Sequence, residues 1–442
     1  MSVPRYSKYK SSGVDWLGEV PVHWSVGRLK RSVSSVKNGI WGDNPQANEN
    51  DIPCVRVADF DRAKLRAVRD EPTMRNVTKG EQLGRLLRCG DLLLEKSGGG
   101  EHQPVGCVVM YDYDVPAVCS NFVARVRCAH DMSPSFWRYV HAAAYAVRLN
   151  TRSIKQTSGI QNLDHQQYFD EGAAFPPFSE QTAIARFLER ETGTIDTLVA
   201  EQQRLIQLLK EKRQAVIYRA VTKGLNPDVA MKPSGIEWIG EVPVTWSLER
   251  LPSVCEFIPG KAHEPFISDD GMHFCVTSRF VSTEGANFKR CSDNLSPAMK
   301  NDTLVVMSDL PNGRALAKAF FVADERDYAV NQRVCILRPF AIAPKYLYYL
   351  VNRSPELLRH DDGANQTHLS NADFLKPRFP VPPGAEQAAI ALHLDRESVR
   401  FNVLTYDAQA AISLLQQRRT ALIFAAVTGK SDVRHVVDAE AA

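Results

Sequence analysis

The sequence predicts an α+β fold class: two globular α/β domains separated by two long helices packed as an antiparallel coiled coil, with a pseudo-twofold internal duplication. The first observation behind this prediction is a segment of about 42 residues from Glu180 to Val221, whose apolar residues recur at alternating steps of three and four. That spacing is typical of a coiled-coil-like helix. Such a helix is roughly 60 Å long, far longer than the usual globular helix. The second observation is that the segment occurs twice, and the third is that β-rich sequence precedes each copy.

The second copy of the helical segment starts 206 positions after the first, at Glu386 instead of Glu180. Charged residues interrupt the apolar seam at matching places, and we hypothesise that the helices pair Glu191 with Arg418 and Glu397 with Lys212. Because buried charges lose hydration, such pairs would fix the antiparallel register more than they would add stability. The apolar seam positions are Ile184, Leu188, Ile195, Leu198, Leu205, Leu209 and Val216 in the first helix and Ile390, Leu394, Leu404 and Leu415 in the second.

An aromatic segment opens each half of the chain. Residues 9–30 read YKSSGVDWLGEVPVHWSVGRLK, and residues 231–252 read MKPSGIEWIGEVPVTWSLERLP. Two tryptophans, a proline and a glycine in so short a stretch predict a rigid, irregular structural anchor. An aromatic box for a ligand is the alternative.

Between this opening segment and the long helix, β-branched and alternating apolar runs predict strands at 54–60, 91–97, 105–113 and 121–128. A helix is predicted over 134–150, followed by a polar loop and by FPPF (175–178), whose prolines stop regular structure before the long helix. The second half repeats this order, with its short helix at 344–360. The predicted domains are 1–177 and 225–383, the long helices are 178–224 and 384–430, and 431–442 is a C-terminal tail.

Composition excludes several classes of protein. No run approaches 18 apolar residues and the first residues lack an apolar signal core, so we expect neither a membrane-spanning nor a secreted protein. The nine cysteines are scattered, which predicts buried reduced thiols in the cytoplasm and no metal site. The net charge of +3 means that any nucleic-acid contact must come from local patches.

No catalytic motif stands out. The phosphate-binding Gly-x-x-x-x-Gly-Lys-Ser/Thr loop, HExxH and the Gly-x-Ser-x-Gly elbow are missing from the sequence. FPPF is similar to the Asn/Asp-Pro-Pro-aromatic motif of amino-methyltransferases, but Phe175 cannot hydrogen-bond an amino group. The glycine-rich SGGG (97–100) is better interpreted as a flexible loop than as a phosphate cradle. We therefore expect no catalysis by this chain alone.

Each β-rich domain instead carries polar and basic residues in loop positions. Arg, Lys, Asn and Gln side chains can pair with base edges in the DNA major groove, although a solvated loop surface is the alternative. A Gln-Thr pair recurs at 156–157 and 366–367, which suggests a shared task or shared loop packing. The candidates are Trp41, Arg56, Lys96, Ser97, His102, Gln103, Arg152, Lys155, Gln156, Thr157 and Asn162 in the first domain and Lys261, His263, Arg279, Asn312, Arg314, Gln332, Arg333, Asn365, Gln366, Thr367 and His368 in the second.

The whole layout resembles the DNA-specificity subunit of type I restriction–modification systems. The resemblance covers essentially the entire chain and is carried by SGVDWLGEVPVHW and SGIEWIGEVPVTW, by GDLLLEKS and QTSGIQNL, and by the prolines followed by EQxxI at Glu180 and Glu386. None of these motifs is decisive alone, but their duplication in this order is specific.

The resemblance implies a non-catalytic subunit with two target-recognition domains, each reading one half of a bipartite, asymmetric DNA site, and helices that act as a spacer. It implies two methyltransferase subunits docked on the helices and motor-nuclease subunits in the full complex. S-adenosylmethionine, ATP and Mg are then expected on those partners, and no cofactor on this chain.

The sequence departs from a strict repeat in ways that affect these expectations. Lys96 becomes Met307 in the second half, where Arg314 is the candidate replacement. The two domains share few loop residues, so their half-sites should differ. Two other functions stay open: a helical scaffold that displays two protein-binding modules, and a fused DNA methyltransferase, for which the required motifs are not seen.

Overall fold

The computed structural model describes residues 4–68, 70–309, 315–359 and 368–434. The chain divides into two compact units, which we call unit 1 (Met1–Arg204 with Gln409–Ala442) and unit 2 (Leu205–Ala408). Each long helix therefore contributes residues to both units. The predicted α+β fold class with two domains and two long helices is confirmed.

Unit 1 contains most of the first half of the chain. Its helices are α1 (Lys79–Gln82), α2 (Pro134–Ala146), α3 (His165–Phe169) and α4 (Phe178–Lys223), of which the last continues into unit 2. Its strands are β1 (Tyr9–Ser11), β2 (Glu19–Pro21), β3 (Ser25–Arg28), β4 (Val33–Asn38), β5 (Asp51–Val55), β6 (Phe60–Asp61), β7 (Arg66–Ala67), β8 (Met74–Asn76), β9 (Asp91–Glu95), β10 (Ser97–Gly98), β11 (Val108–Tyr111), β12 (Val118–Cys119), β13 (Val123–Cys128), β14 (Ile154–Ser158), β15 (Ile160–Leu163) and β16 (Gly172–Phe175).

These strands form one large sheet and several small ones. The large sheet has the order β4-β13-β9-β11-β7-β6, and two three-stranded sheets have the orders β12-β5-β8 and β10-β15-β14. The pairs β1-β2 and β16-β3 stand apart. β9 is buried along its whole length: its three leucines are apolar, and its terminal carboxylates pair with Arg127 (Asp91) and Arg62 (Glu95), each at 2.8 Å. The large sheet and α2 enclose a core that includes Trp24, Trp137 and Phe175.

Unit 2 repeats this plan with fewer strands. Its helices are α5 (Ser278–Ser282), α6 (Pro344–Val351), α7 (Pro355–Leu358), α8 (Asn371–Leu375) and α9 (Gly384–Val427), which continues into unit 1. Its strands are β17 (Met231–Pro233), β18 (Glu241–Pro243), β19 (Ser247–Arg250), β20 (Cys255–Pro259), β21 (His273–Val276), β22 (Lys289–Cys291), β23 (Pro297–Ala298), β24 (Thr303–Val306), β25 (Ala319–Phe321), β26 (Tyr328–Val330), β27 (Val334–Pro339) and β28 (Arg378–Val381).

Two four-stranded sheets, β20-β27-β24-β25 and β22-β21-β26-β23, make up the centre of unit 2, and the pairs β17-β18 and β19-β28 flank them. The single helix predicted over 344–360 is wrong. It is divided into α6 and α7, because Pro355 cannot continue a helix and the preceding Arg353 adopts a positive φ of 54°.

The opening aromatic segments are structural anchors, as predicted. Trp24 and Trp246 are both buried, each in the core cluster of its own unit. Trp16 donates its indole N–H to the Gly172 carbonyl oxygen at 2.8 Å and so ties the segment to β16. The end of the described chain also joins this core, because Val433 is buried in it.

The long helices bury residues near their junctions with the domains and also in their middle, where Phe401, Ala408 and Ile412 of α9 are buried. In unit 1, Ile184 and Leu188 of α4 share a core with Ile423 of α9. In unit 2, Ile217 of α4 shares a core with Ile390 of α9. Ile195, Leu209 and Leu394 are also buried, Val216 and Leu415 are half-buried, and Leu198, Leu205 and Leu404 are exposed.

The predicted charge pairs along the seam are wrong. Glu191 pairs with its neighbour Arg190 at 3.1 Å, and Glu397 pairs with Arg400 at 3.9 Å. The antiparallel register in unit 1 is marked by another pair, Arg419 and Asp196, at 2.9 Å. Glu191 and Glu397 pair with neighbours on their own helix, because such partners require no desolvation against the opposite helix.

Two further observations concern membrane-spanning helices and cysteines. Across the described ranges, no helix combines the length and the apolar character needed to cross a membrane. All nine cysteines are free thiols; seven are buried, whereas Cys89 is exposed and Cys128 is half-buried, so the expected burial fails at these two positions.

Candidate nucleic-acid interface

A small three-stranded sheet in unit 1 brings several predicted site residues together. β14 and β15 form a hairpin whose register places Lys155 opposite Asn162 and Gln156 opposite Gln161. β10 extends this sheet by pairing Ser97 with Asn162. The sequence folds into a tight hairpin here because Gly159 has a φ of +74°, a left-handed conformation that glycine adopts without strain. Lys155, Gln156 and Asn162 are exposed on it.

Hydrogen bonds hold the polar groups of this sheet in place. The Ser97 hydroxyl donates to Asn162 Oδ1 at 2.6 Å. The Lys96 ammonium, immediately before β10, donates to Asn38 Oδ1 at 2.8 Å, at the end of β4. Burial lowers the pKa of the Lys96 ammonium. Burial disfavours the charged form of this ammonium, and a nearby anion would stabilise it again. Lys96 is therefore a suitable ligand for a phosphate or an electronegative base edge.

The loop after β4 carries an exposed arginine–aromatic stack. The Arg75 guanidinium lies 4.4 Å from the ring centroid of Trp41, whose side chain is 39% exposed. Arg75 also donates to the carbonyl oxygens of Trp41 at 3.0 Å and Gly42 at 2.9 Å, and to Asn44 Oδ1 at 2.8 Å. Trp41 was predicted as a site residue, whereas Arg75 was missed because 34 positions separate it from its aromatic partner in the sequence.

Unit 2 has a stack at the equivalent place in its fold. Arg75 lies opposite Ile52, the second residue of β5, and Arg290 lies opposite Phe274, the second residue of β21. The Arg290 guanidinium lies 4.8 Å from the ring of Phe274 and 5.9 Å from that of Phe288, which is 47% exposed. Sequence reasoning missed this group as well. Aligning the two halves on the β5–β8 and β21–β22 pairs is the step that would have found it.

The other predicted residues of unit 1 are exposed or half-buried but do not all gather. Arg56 pairs with Asp59 at 2.9 Å, and Arg152 lies 3.8 Å from Glu171. His102 and Gln103 are exposed in the segment between β10 and β11. Thr157 lies in β14, and its side chain is outside what the structure describes.

In unit 2 the prediction for His263 is wrong. This side chain is fully buried, its Nδ1 lies 2.7 Å from the Lys261 carbonyl oxygen, and its Nε2 accepts the Leu295 N–H at 3.0 Å. Both ring nitrogens are occupied, so His263 supports the loop and cannot reach a ligand. The sequence around an isolated histidine does not show whether its side chain is buried or is free to contact a ligand.

The remaining unit 2 candidates separate into two groups. Gln332 donates to Glu264 Oε1 at 3.2 Å, and His368 forms a bridge with Ser308. Those that are exposed are Lys261, Arg279, Gln332, Arg333 and His368. Those that lie outside the described residues are Asn312, Arg314, Asn365, Gln366 and Thr367.

The described part of the site offers hydrogen-bond donors and stacking groups. In the part of the chain that the structure describes, no three or more His, Cys, Asp and Glu side chains come together in a way that could hold a metal ion. Guanidinium, ammonium and amide groups on loops and hairpins are the chemistry that nucleic-acid recognition uses.

Comparisons with known proteins identify relatives of the whole chain and of its fold. No protein-family model matches the chain. A curated relative from Methanocaldococcus jannaschii, provisionally named the type I restriction enzyme MjaX specificity subunit, is 22% identical over 409 residues, covering 86% of this chain and 87% of that protein.

Two solved structures are similar over nearly the whole length. A chain from a structure described as the basis of complex assembly and conformational transition of the type I R-M system has a TM-score of 0.70 at 15% identity, and the match covers 92% of this chain and 98% of that one. The HsdS subunit from Thermoanaerobacter tengcongensis has a TM-score of 0.50 at 16% identity, with 93% and 98% covered. The resemblance to type I specificity subunits predicted from the sequence is confirmed.

Proposed function

We propose that this chain is the non-catalytic DNA-specificity subunit of a type I restriction–modification complex, in which each unit reads one half of a bipartite, asymmetric site. The single observation that carries the proposal is the match over nearly the whole chain to specificity subunits in sequence and in fold. The exposed donors of each unit supply the chemistry. Because the two units differ in those donors, the two half-sites should differ in sequence.

Base reading in unit 1 is assigned to the hairpin β14–β15 and to the Trp41 loop. A two-stranded β-ribbon fits the major groove, where an amide such as that of Gln156 can bind adenine. Lys96 lies beside the hairpin, and Arg75 is held by its three bonds in a fixed orientation. In unit 2, we assign to Arg290 the same role in base reading as to Arg75 in unit 1.

The long helices supply the scaffold of the proposed complex. Helix α4 has 46 residues and α9 has 44, and we infer that their lengths set the spacer between half-sites. α9 also carries an exposed apolar stripe, formed by Leu392, Val399, Val403 and Tyr406, at steps of seven, four and three. This stripe lies outside the buried seam and is the surface that we assign to a methyltransferase subunit.

The reactions themselves belong to the partners in this proposal. Methyltransferase subunits would hold S-adenosylmethionine, and motor-nuclease subunits would use ATP and Mg. The chain would work in the cytoplasm, where the DNA and these partners are found. Its own residues bind, orient and select the DNA.

The first experiment is single-molecule sequencing of methylated host DNA with the gene present and deleted. Loss of one split adenine-methylation motif on deletion supports the proposal and identifies both half-sites. An unchanged methylome in a strain that expresses active methyltransferase subunits contradicts it.

Single variants then assign each unit to its half-site. Arg75→Gln should weaken discrimination in one half-site and Arg290→Gln in the other, each by about 1–3 kcal/mol, or roughly 5- to 150-fold. Lys10→Gln, a change of an exposed charge in β1, is the control and should alter neither. If Arg75→Gln and Arg290→Gln relax the same half-site, the assignment of one unit to each half is wrong.

A helical scaffold that displays two protein-binding modules is the second candidate. The net charge of only +3 favours it, because phosphate binding usually needs a strong positive surface. Binding of duplex DNA that weakens steeply with rising salt concentration would decide against it.

A further inference from the structure

Both units attach their domain to a long helix through the same glutamine. Gln181 is 1% exposed; its Oε1 accepts the Ser133 N–H at 3.0 Å and its Nε2 donates to the Pro176 carbonyl oxygen at 3.0 Å. Ser133 is the residue immediately before α2. One side chain therefore joins the first turn of the long helix to the beginning of the domain helix.

The second unit repeats these bonds atom for atom. Gln387 is 4% exposed; its Oε1 accepts the Ala343 N–H at 2.7 Å and its Nε2 donates to the Pro382 carbonyl oxygen at 2.8 Å. Ala343 immediately precedes α6. The glutamine of the duplicated EQ motif thus has the same two tasks in both units.

A second contact recurs eleven residues further along each long helix. The Tyr139 hydroxyl of α2 lies 3.3 Å from the Thr192 hydroxyl of α4. The Tyr349 hydroxyl of α6 lies 3.4 Å from the Ser398 hydroxyl of α9. Eleven residues are about three helical turns, so the glutamine and the hydroxyl lie on one face of the long helix.

An acid between these two points pairs with the domain in both units. In unit 1, Glu189 accepts from Arg138 at 3.2 Å and also pairs with Arg66. In unit 2, Asp395, at the equivalent position, accepts from Lys345 at 3.1 Å and from the Tyr349 hydroxyl at 2.6 Å. The residue types differ, but an acid on the long helix and a base on the domain helix are present in both.

We propose that the glutamine, the hydroxyl pair and the acid–base pair form an orienting clamp in each unit, which fixes the angle of the recognition domain on its long helix and thereby the spacer length that the subunit accepts. The clamp residues are Gln181, Tyr139, Thr192, Glu189 and Arg138 in unit 1 and Gln387, Tyr349, Ser398, Asp395 and Lys345 in unit 2. This inference rests on the proposed function. Two attachment points about three turns apart prevent the two helices from pivoting, which one point could not do.

The consequence for DNA follows from helical geometry. Adding one base pair moves a half-site by about 3.4 Å and rotates it by roughly a tenth of a turn. A domain held at a fixed angle loses contacts on such a site, whereas a domain free to pivot recovers part of them. The clamp residues are positioning residues: they touch no DNA and select the spacer through the domain that they hold.

The test measures binding of the full subunit, with its methyltransferase subunits, to duplexes that carry both half-sites at the native spacer and at one base pair more or less. The double variant Tyr139→Phe with Tyr349→Phe removes one hydroxyl from each clamp and keeps the rings. We expect the preference for the native spacer to fall by about 30-fold, because each clamp loses at least one hydrogen bond and the effects of two such losses multiply. Discrimination within each half-site should stay as in the wild type.

Two further variants separate positioning from general weakening. Tyr218→Phe removes a hydroxyl that bonds to the Trp238 carbonyl oxygen outside both clamps, and it should leave the spacer preference unchanged. Thr192→Ser keeps the clamp hydroxyl and should also preserve it. Gln181→Met is the stronger perturbation, and if it does not fold, the tyrosine variants decide.

An unchanged spacer preference in the double tyrosine variant, with native-spacer DNA still bound, overturns the clamp. An equal loss of affinity for all spacers overturns it too, because that outcome indicates a stability role only. If the wild-type complex binds no bipartite DNA at all, the proposed function fails before the clamp is tested.

Discussion

The two opening tryptophans offer a matched pair in which the same substitution should have different costs. Trp24 and Trp246 are both buried, with exposed fractions of 0% and 1%. The Trp246 indole N–H donates to Glu386 Oε2 at 2.9 Å, whereas the buried Trp24 indole nitrogen has no hydrogen-bond partner among the residues that the structure describes. The reason is local: Glu180, the equivalent of Glu386, bonds instead to the Tyr6 hydroxyl and to His23.

Replacing each tryptophan with phenylalanine should therefore destabilise unit 2 more than unit 1. The loss of packing volume is similar at both positions, because both indoles are buried. A hydrogen bond to a charged group contributes about 1.5–3 kcal/mol. Since Glu386 is partly exposed, we expect Trp246→Phe to cost about 1–2 kcal/mol more than Trp24→Phe. Removal of an unpaired buried N–H at Trp24 widens the difference.

Native-state hydrogen exchange is the suitable assay, since a chain with two units need not unfold in one step. Peptides covering residues 9–30 and 231–252 report the local opening free energy, and about 1.4 kcal/mol corresponds to a tenfold change in exchange rate. In a background of Glu386→Ala, the extra cost of Trp246→Phe should vanish. An equal effect of the two phenylalanine variants, or a larger one at Trp24, would refute the reasoning.

Two other predictions test burial in unit 1. Leu188→Ala should destabilise unit 1 by about 2–5 kcal/mol because Leu188 is fully buried, whereas Leu198→Ala, at an exposed seam position, should change its stability by less than about 0.5 kcal/mol; denaturation of both variants measures this. Burial lowers the pKa of His141 from 6.5 to about 4, so the unfolded chain binds the proton first as pH falls. Stability should decline between pH 6.5 and 4 by about 3 kcal/mol, and His141→Gln should flatten that part of a melting-temperature profile; an unchanged slope contradicts the assignment.

The sequence predicted the long helices of this protein better than it predicted which of their side chains are exposed. The spacing of Ile184 and Leu188 depends on helical periodicity, a local property, and those residues are buried as expected. The same periodicity includes Leu198, which is exposed, because a pattern identifies the face of a helix and not whether a partner covers it. Only the tertiary structure distinguishes the covered seam positions, such as Ile195 and Leu209, from exposed ones such as Leu198 and Leu205.

The candidate site also contains residues that the sequence could predict and residues that it could not. The Gln-Thr pair that recurs at 156–157 and 366–367 singled out Gln156, which is exposed, but the segment around it was predicted as a polar loop and forms the hairpin β14–β15 instead. Arg75 was missed and His263 was chosen wrongly, since stacking and burial depend on residues remote in sequence. The EQ motif was noticed as a marker of the helix start, but its contact with the domain helix depends on a loop some fifty residues earlier.

The contacts of the orienting clamp also explain how the two units could diverge while keeping one geometry. The Oε1 atoms of Gln181 and Gln387 accept from a backbone N–H of the domain, which any residue except proline supplies, whether Ser133 or Ala343. A recognition domain can therefore change most of its side chains without losing this attachment, provided that its helix still begins at the same place. The acid–base pairs differ more: the acid keeps its place on the long helix, but the base comes from the fifth residue of α2 (Arg138) in unit 1 and from the second residue of α6 (Lys345) in unit 2. Because this attachment uses the backbone, the loop residues of each domain can change to recognise a new half-site. The domain stays bound to the long helix while they do so.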